Sequence, residues 1–215
     1  MSKTTVLLNR HGESEGNTAA VFTGHRGYSL TPMGHKQAEL TAEYLQENFS
    51  VDAVYCSDLP RAFQTAEHIA LKYDLPIVTD ASLRELFGGQ WENRKFSELP
   101  RDFPEDFAVW QEDTIHSRCT DGESVLELTE RAVEGIQKIA EKHPGQTVVM
   151  VSHATPIRTT LWKVSGQSEQ AFQTTGFGCN CAVSELTFEN GALSIVAANY
   201  TDHLQGCKTQ LPSNI

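Results

Sequence analysis

The most informative stretch of the sequence reads Val6-Leu7-Leu8-Asn9-Arg10-His11-Gly12-Glu13-Ser14. Its apolar first half is typical of a buried strand, and the apolar run ends abruptly in a guanidinium, an imidazole and a glycine. In parallel sheets, ligands bind beyond the carboxyl ends of the strands, where such side chains lie. We therefore interpret this end as a phosphate pocket with His11 as the nucleophile. The alternative, which this stretch alone leaves open, is that Arg10 and His11 are surface residues at a strand end.

Size, charge and cysteine content restrict the class of protein. A chain of 215 residues favours one globular domain, residues 1–215, with one sizeable core. The formal charge of -11 argues against nucleic-acid or anionic-membrane partners, because those require a broad positive field. We expect a cytoplasmic protein, since no apolar run approaches the roughly 18 residues of a membrane span and no signal-peptide pattern is present. The five cysteines lack C-x-x-C spacing, which favours free thiols in a reducing compartment.

Two further strand patterns end at basic side chains. Residues 51–57 predict a second strand, and Arg61 follows in the first turn of the helix that Asp58-Leu59-Pro60 introduces. Residues 147–153 predict a buried strand that ends in His153. Because the carboxyl ends of parallel strands meet at one edge of a sheet, we expect these side chains to converge with the basic pair of the first strand. Such convergence on three strand exits is difficult to attribute to chance.

The remaining patterns predict an α/β layered fold with a mainly parallel sheet, because strands and helices alternate along most of the chain. Predicted helices begin at Pro32 behind the N-cap Thr31, after Asp58, at Ser124 and at Thr155. A short edge strand is predicted at 75–78. A β-hairpin is predicted to join 181–188 to 192–198 through Asn190-Gly191, the preferred type I′ turn.

Residues 90–122, which we call the lid, break the regular pattern. The segment loses clean periodicity but keeps five aromatic residues among acidic residues and prolines: Trp91, Phe96, Phe103, Phe107 and Trp110. We predict a small helical excursion over the active site that forms a specificity wall. Most of these aromatic rings are expected to form a core of their own, and one or two of them to face the pocket.

The convergent side chains suit phosphoryl transfer. Two arginines in one crevice require an anion, and the planar guanidinium matches phosphate or carboxylate. No metal cage is evident in the sequence, so we expect no metal and no other cofactor, with backbone N–H donors at helix N-termini assisting. A neutral imidazole can accept a phosphoryl group, which makes His11 the candidate for a phosphohistidine. Glu85, just before Gly88-Gly89, is the best-placed proton donor, and another carboxylate of the lid is the alternative.

Motifs in the order of a known family run through nearly the whole chain. They are Arg10-His11-Gly12-Glu13-Ser14 with Asn17, Leu30-Thr31-Pro32-Met33-Gly34 with Gln37-Ala38, Ser57-Asp58-Leu59-Pro60-Arg61-Ala62 with Thr65-Ala66-Glu67, Glu85 with Gly89 and Trp91-Glu92, Gly122-Glu123-Ser124, Ser152-His153, Asn180, Asn199 and His203-Leu204. In this series the sequence resembles the histidine phosphatase superfamily, the phosphoglycerate-mutase-like proteins. The resemblance implies a three-layer α/β/α sandwich with a mainly parallel central sheet.

The resemblance also implies roles for individual residues. It implies a phosphohistidine on His11, a proton donor at Glu85 and no requirement for metal. The positions that match phosphate- and substrate-binding residues of the family are Arg10, Arg61, His153, the phosphate-pocket residue Asn17, and the substrate-loop residues Thr23 and Gly24. We place His153 with His11 and Glu85 in the catalytic group. From residue type alone, Thr23 is equally well explained as a turn former.

Four departures from the family pattern bear on activity. Ala154 stands where the family commonly has Gly after the second histidine; it keeps the N–H, so it remains a phosphate-binding position, but it restricts the backbone angles. Asn93 replaces the Gly of a Trp-Glu-Gly turn. Phe96 and Gln111-Glu112 align with the lysine and the arginine pair of cofactor-dependent phosphoglycerate mutases. A mutase must hold a second anionic group while its intermediate reorients, so losing these cations favours hydrolysis.

The sequence therefore predicts a metal-independent phosphomonoesterase of the histidine acid phosphatase type, acting on a small phosphorylated substrate. The alternatives are a phosphoglycerate-mutase-type isomerase and a non-catalytic, phosphate-binding regulatory protein. A homodimer is compatible with the sequence, although no feature specifies one. The other histidines lack metal-ligand spacing, and we expect solvated or capping roles for His25, His35, His68, His116 and His143, and a structural role for His203.

Overall fold

The computed structural model describes residues 2–209, in which helices flank one six-stranded sheet. The strands are β1 (Thr4–Arg10), β2 (Ala53–Cys56), β3 (Ile77–Thr79), β4 (Thr147–Ser152), β5 (Val183–Glu189) and β6 (Ala192–Tyr200). The α-helices are α1 (Glu15–Thr18), α2 (Pro32–Asn48), α3 (Pro60–Tyr73), α4 (Leu99–Asp102), α5 (Pro104–Glu112), α6 (Val125–Glu141), α7 (Ala154–Val164) and α8 (Glu169–Thr174). None of the helices in this part of the chain is long and apolar enough to cross a membrane.

The sheet has the strand order β3-β2-β4-β1-β5-β6. β3, β2, β4 and β1 run parallel to one another, and the hairpin of β5 and β6 adds two antiparallel strands beside β1. The carboxyl ends of β1, β2 and β4 consequently meet the start of β5 at one edge. The mainly parallel sheet that the sequence predicts is confirmed, with the hairpin as its antiparallel part.

The central strands carry apolar side chains on both faces, and a layer of helices covers each face. Leu8 belongs to the core that faces α6 and α7, whereas Leu7 belongs to the core that faces α2 and α3. Both leucines are fully buried, and burying one such side chain contributes about 1.5–3 kcal/mol. The alternation within β1 therefore determines which residues face each layer. This arrangement is the predicted three-layer α/β/α sandwich.

The lid consists of short helical pieces built around an aromatic core. Trp91 is completely buried and lies with Leu99 and Phe107 in a cluster that also includes Phe22 and the start of α6. The ring centres of Trp91 and Phe107 are 5.7 Å apart. Because each piece is only a few residues long, the buried residues follow no single helical period. The lid is thus helical and has its own core, as the sequence predicts.

Several element boundaries agree with the sequence patterns, and others differ by one or two residues; the edge strand predicted at 75–78, for example, is β3 at Ile77–Thr79. Thr31 caps α2 through a bond from the Gly34 N–H, and Pro32 is the first helical residue. Asn190 and Gly191 both have positive φ, 52° and 82°, as a type I′ turn requires. The helix expected from Thr155 begins one residue earlier, at Ala154, because extended His153 already serves as its N-cap. The short helices α1 and α8 carry too little periodic sequence to be predicted.

Candidate active site

The four basic side chains predicted from the strand ends lie together at the carboxyl edge of the sheet. The ring centres of His11 and His153 are 5.1 Å apart. Arg61 reaches the same point from the first turn of α3, with its Nε 3.3 Å from His11 Nε2. Arg10, at the end of β1, is 5% exposed, and the other three side chains are at most 3% exposed. The structure therefore brings Arg10, His11, Arg61 and His153 into one buried cluster.

The ring of His11 is held in one orientation. Its Nδ1 lies 2.6 Å from the carbonyl oxygen of Gly12, so Nδ1 carries the proton and donates it there. Nε2 accepts a hydrogen bond from Arg61 and is therefore unprotonated. Residue 12 must be glycine because a Cβ at this position would lie 2.5 Å from the carbonyl oxygen of Gly34. The tight packing of α2 against this turn thus fixes the imidazole and leaves a free lone pair on Nε2.

Both imidazoles are kept neutral by their surroundings. Burial, followed by the charges of Arg61 and Arg10, holds the pKa of His11 well below its usual range. Burial and the charge of Arg61 likewise lower the pKa of His153 well below the ordinary histidine value. Neither ring nitrogen of His153 has a hydrogen-bond partner among residues 2–209. Since buried polar groups are usually paired, these two nitrogens mark a place for a polar ligand.

The two arginines stay charged and are anchored differently. Burial lowers the pKa of Arg61 to about 10 and also lowers the pKa of Arg10. Guanidinium groups in proteins stay protonated at neutral pH. Arg10 donates to the carbonyl oxygen of Gly178 at 2.6 Å, while its buried Nε has no partner in the described chain. Arg61 donates to the carbonyl oxygens of Arg26 and Gly24 at 2.9 and 2.8 Å. Arg61 therefore joins the histidine pair to the loop of residues 22–28, which we call the substrate loop.

Two asparagines complete the polar rim. The Oδ1 of Asn17 accepts bonds from the backbone and hydroxyl of Ser14, both at 3.0 Å, which leaves its amide Nδ2 for a ligand. Asn180 donates to the carbonyl oxygen of His11 and to Asn17, at 3.0 and 3.2 Å. Its buried Oδ1 has no partner within residues 2–209. The sequence motifs include Asn180 but assign it no role; its place just before β5, the antiparallel neighbour of β1, puts it beside the nucleophile.

Glu85 enters the site from the loop after β3. It is 9% exposed. Its Oε1 accepts a hydrogen bond from the Leu86 N–H at 2.8 Å, and its Oε2 lies 3.5 Å from the N–H of Thr155 in the first turn of α7. Among the described residues that line the cavity, Glu85 is the only carboxylate. The lid carboxylates, which the sequence leaves open as alternative proton donors, do not reach the cavity.

The substrate loop is fastened to the lid through a buried carboxylate. Glu92 accepts a bond from the His25 N–H at 2.7 Å and pairs with Arg26 at 2.8 Å. Gly24 has φ +47°, and a Cβ there would lie 2.3 Å from Glu92 Oε1, so only glycine fits. The ring of His25 bonds to the carbonyl oxygen of Glu85 at 2.8 Å. The expectation that His25 is solvated or capping is therefore wrong, because the ring ties the substrate loop to the Glu85 loop.

A cavity of about 100 Å³ opens above the basic cluster. One water molecule needs roughly 10–15 Å³ of such cavity volume. The cavity is therefore large enough for a small ligand. Its described lining contains Arg10, Gly16, Asn17, Ala20, Val21, Phe22, Thr23, Gly24, Glu85, Phe96, Trp110, Ala154, Thr155, Phe177, Asn180 and Thr209. His11, Arg61 and His153 are buried and are not among the lining residues, whereas Arg10 of the same cluster lines the cavity.

The cavity lining resolves several points that the sequence leaves open. Thr23 lines the cavity, and its carbonyl oxygen also accepts the turn hydrogen bond from Arg26. Ala154 lies in regular helix, so its methyl group lines the cavity without backbone strain. Phe96 and Trp110 are the lid rings that face the cavity, whereas Gln111 is exposed and outside the lining.

The rest of the lining comes from segments without a regular pattern. Phe177 lies in the connection before β5 and Thr209 follows the last 3₁₀ turn, so no periodic signal could have placed either residue at the site. Within residues 2–209, no three His, Cys, Asp or Glu side chains are grouped closely enough to hold a metal ion. His203 bonds to Thr41 and stacks on Tyr44, which agrees with the structural role expected for it.

Comparison with known proteins supports the resemblance over most of the chain. The family model of the histidine phosphatase superfamily (branch 1) matches residues 6–201. Phosphoserine phosphatase 1 from Hydrogenobacter thermophilus is 32% identical over 200 residues, 93% of this chain and 93% of that protein. The adenosylcobalamin/alpha-ribazole phosphatase from Escherichia coli is 30% identical over 164 residues, 76% of this chain and 80% of that protein. The solved structure of Bacillus stearothermophilus YhfR has a TM-score of 0.88 at 26% identity and covers 94% of this chain and 99% of that chain.

These matches agree with the architecture described above. The two curated relatives are phosphatases by name, and the solved structure shares the fold along almost its full length. The matched region includes every strand end that contributes to the basic cluster. The family expected from the sequence motifs is therefore confirmed: this chain belongs to the histidine phosphatase superfamily, branch 1.

Proposed function

We propose that this protein is a metal-independent phosphomonoesterase that hydrolyses a small phosphorylated substrate through a phosphohistidine on His11. The observation that carries the proposal is the state of the His11 ring. Nδ1 donates to Gly12 at 2.6 Å, and Nε2 keeps its lone pair beside Arg61 at 3.3 Å. A neutral, oriented imidazole next to two guanidiniums is the arrangement that phosphoryl transfer to nitrogen requires.

In the first proposed step, Nε2 of His11 attacks phosphorus and the bond from phosphorus to the substrate oxygen breaks. Arg10 and Arg61 neutralise the charge that develops on the phosphoryl oxygens, and His153 contacts the same phosphoryl group. The leaving oxygen takes a proton from Glu85, which is left as a carboxylate. The products of this step are the free alcohol and phosphohistidine, so the chemistry places Glu85 on the alcohol side of the phosphate.

In the second proposed step, water replaces the alcohol. Its oxygen attacks phosphorus, the bond between phosphorus and Nε2 breaks, and the Glu85 carboxylate takes the proton that water loses. The step releases inorganic phosphate and restores neutral His11 and protonated Glu85. The lowered pKa of His11 keeps the imidazole unprotonated in mildly acidic solution. We therefore propose that the enzyme is of the histidine acid phosphatase type, active in that pH range.

The test is hydrolysis of a phosphomonoester panel in the presence of a chelator, with His11→Ala compared with His35→Ala. His35 is exposed on α2 and serves as the matched control. We expect phosphate release that chelator does not change, that His11→Ala lowers by about 10⁴-fold or more, and that His35→Ala leaves intact. Activity that requires added divalent metal, or that survives in His11→Ala, would contradict the proposal. Conversion of 3- to 2-phosphoglycerate much faster than phosphate release would favour the mutase alternative.

A further inference from the structure

The cavity above the phosphate site has an apolar wall. Phe22, Phe96 and Trp110 line it from the side of the substrate loop and lid, and Phe177 lines it from the connection before β5. The ring centres of Phe22 lie 5.6 Å from Phe96 and 6.1 Å from Trp110. Because these rings pack against one another and onto the buried lid core, the wall is formed before any substrate enters.

Phe177 is also held in place by its neighbours. The Arg158 guanidinium lies 4.4 Å from the centre of the Phe177 ring and 3.9 Å from that of Phe172. Arg158 itself donates to the carbonyl oxygen of Thr175 at 2.7 Å. A guanidinium that packs on aromatic faces in this way fixes the segment, since the contact is attractive and directional. The ring of Phe177 is therefore a fixed part of the cavity wall.

The distribution of charge around the cavity complements this wall. Among residues 2–209, Arg10 is the only cationic side chain in the lining, and the proposed reaction commits it, with Arg61, to the transferred phosphate. Arg94 and Lys95 are exposed on the lid and lie outside the lining. A second anionic group on the substrate would meet the carboxylate of Glu85, aromatic carbon and only neutral hydrogen-bond donors of the described lining, such as Asn17 and Thr23. Such a group would be desolvated with no opposite charge to pair with, which is unfavourable.

We infer that the preferred substrates are phosphomonoesters of apolar, aryl-bearing alcohols, and that esters carrying a second anionic group near the phosphate are disfavoured. The inference rests on the proposed phosphomonoesterase activity and adds the substrate class. The carbon part of the substrate packs on Phe96, Trp110 and Phe177, while its phosphate occupies the basic cluster. Aromatic surfaces of this kind contribute to recognition by burying apolar area. The uncharged wall disfavours carboxylate-bearing esters because it offers no further cation to pair with the carboxylate.

A matched set of substrates tests this inference without a difference in leaving-group chemistry. The set contains 2-phenylethyl phosphate, ethyl phosphate, 3-phosphoglycerate and O-phosphoserine, all of which release an alkyl alcohol. We expect kcat/KM for 2-phenylethyl phosphate to exceed that for 3-phosphoglycerate and for O-phosphoserine by at least about tenfold. Equal or better use of either carboxylate-bearing ester would overturn the inference.

A pair of variants attributes the preference to the wall. Phe96→Leu removes a ring that lines the cavity, whereas Phe103→Leu alters a ring that packs in the same lid cluster but lies outside the lining. We expect Phe96→Leu to lower the ratio of kcat/KM for 2-phenylethyl phosphate to that for ethyl phosphate several-fold, and Phe103→Leu to leave that ratio unchanged. An equal fall in both variants would assign the effect to lid stability and would contradict a role for the wall.

A binding measurement separates this inference from the proposed hydrolysis. 2-Phenylethylphosphonate carries a phenyl ring on a two-carbon phosphonate, and 3-phosphonopropionate carries a carboxylate in the same position. Neither compound can be hydrolysed. We expect calorimetry on the wild-type protein to show at least about tenfold tighter binding of the phenyl compound. If that preference holds while no ester is hydrolysed, only the proposed hydrolysis fails. If His11-dependent hydrolysis occurs while the two phosphonates bind equally, only the substrate class fails.

Discussion

The imidazole of His11 has its tautomer and its charge set by neighbours on two segments, the turn at the end of β1 and the first turn of α3. The Gly12 carbonyl oxygen takes the Nδ1 proton, and Arg61 approaches Nε2 from α3. Burial and the adjacent guanidiniums lower the pKa of His11, so the ring stays neutral below the ordinary histidine range. Both ring nitrogens of His11 have a partner in the structure, Gly12 at Nδ1 and Arg61 at Nε2. In the proposed reaction, the phosphate group engages Arg61 and releases the Nε2 lone pair for attack.

At the same scale, the proposed role of Glu85 as the proton donor predicts that the effect of Glu85→Gln depends on the leaving group. If Glu85 protonates the departing oxygen, Glu85→Gln lowers the first-turnover release of ethanol from ethyl phosphate by about 10²–10⁴-fold. Release of p-nitrophenol from p-nitrophenyl phosphate falls by less than about tenfold, because that oxygen leaves without a proton. Rapid-mixing measurement of the first turnover tests both values. Glu112→Gln, an exposed lid carboxylate, is the control, and an equal loss with both substrates would show that Glu85 is not the acid.

Residues at strand ends could be predicted from the sequence, whereas residues on irregular connections could not. Arg10, His11 and His153 follow apolar runs whose period and length identify buried strands, and parallel strands bring such ends together. Phe177 and Thr209 lie on connections with no period, so only the folded chain places them at the cavity. The sequence gives the residue type at these positions, but it does not show which way an irregular segment runs through the folded protein.

At the scale of elements, the substrate loop depends on a contact that the sequence motif alone does not explain. Glu92 is buried and receives the His25 N–H while pairing with Arg26. Two carbonyl oxygens of the same loop accept hydrogen bonds from Arg61. The lid therefore acts on the phosphate site through the loop, in the order Glu92, substrate loop, Arg61.

This connection predicts that Glu92→Gln lowers kcat/KM by roughly 10- to 100-fold. The change removes the charge-assisted bonds of a buried carboxylate, each worth about 1.5–3 kcal/mol, and loosens the carbonyls that hold Arg61. Steady-state kinetics with a saturable phosphomonoester provide the measurement. In Glu134→Gln, which breaks an exposed pair with Lys138 on α6, activity should stay within about twofold. Unchanged kinetics in Glu92→Gln would remove the proposed link between lid and phosphate site.

The lid also shows why an element can be recognised by composition but not drawn in detail. Its five aromatic residues and its prolines indicate a small core interrupted by turns, and the folded segment has that character. Phe96 and Trp110 face the cavity while Trp91 and Phe107 are buried, and nothing in their spacing separates the two pairs. The division depends on how α4 and α5 pack against Phe22, which belongs to the distant substrate loop. Long-range packing therefore decides which rings form the wall.

At the scale of the whole molecule, the chain carries a formal net charge of -11, yet the candidate active site is built around a small cluster of basic side chains. The anionic substrate is consequently recognised by a few buried groups and not by a broad surface field. Burial of these groups has a cost for stability. His11 and His153 are neutral in the folded protein, and both have a pKa lowered by burial and by neighbouring positive charge. In the unfolded chain, both return to the ordinary value near 6.5.

The folded protein should therefore lose stability as the pH falls below about 6.5. Below that value the unfolded chain binds protons at His11 and His153 that the folded chain does not, so their contribution is present above pH 6.5 and decreases on acidification. Each histidine contributes a slope that approaches about 1.4 kcal/mol per pH unit. Urea denaturation of wild type and His153→Asn between about pH 7.5 and 5.5 measures this slope. The variant should be less pH-dependent, and identical slopes would contradict the buried neutral state of His153.

The proposed chemistry is tested most directly by trapping the enzyme during turnover and locating the phosphate. Wild-type protein mixed with a phosphomonoester, quenched in alkali within the first turnover and mapped by mass spectrometry should carry one phosphoryl group on the imidazole of His11. That group should be stable to alkali and lost in acid, as a bond between phosphorus and nitrogen requires. Phosphate on any other residue, or continued turnover with no phosphoenzyme formed, would contradict the mechanism.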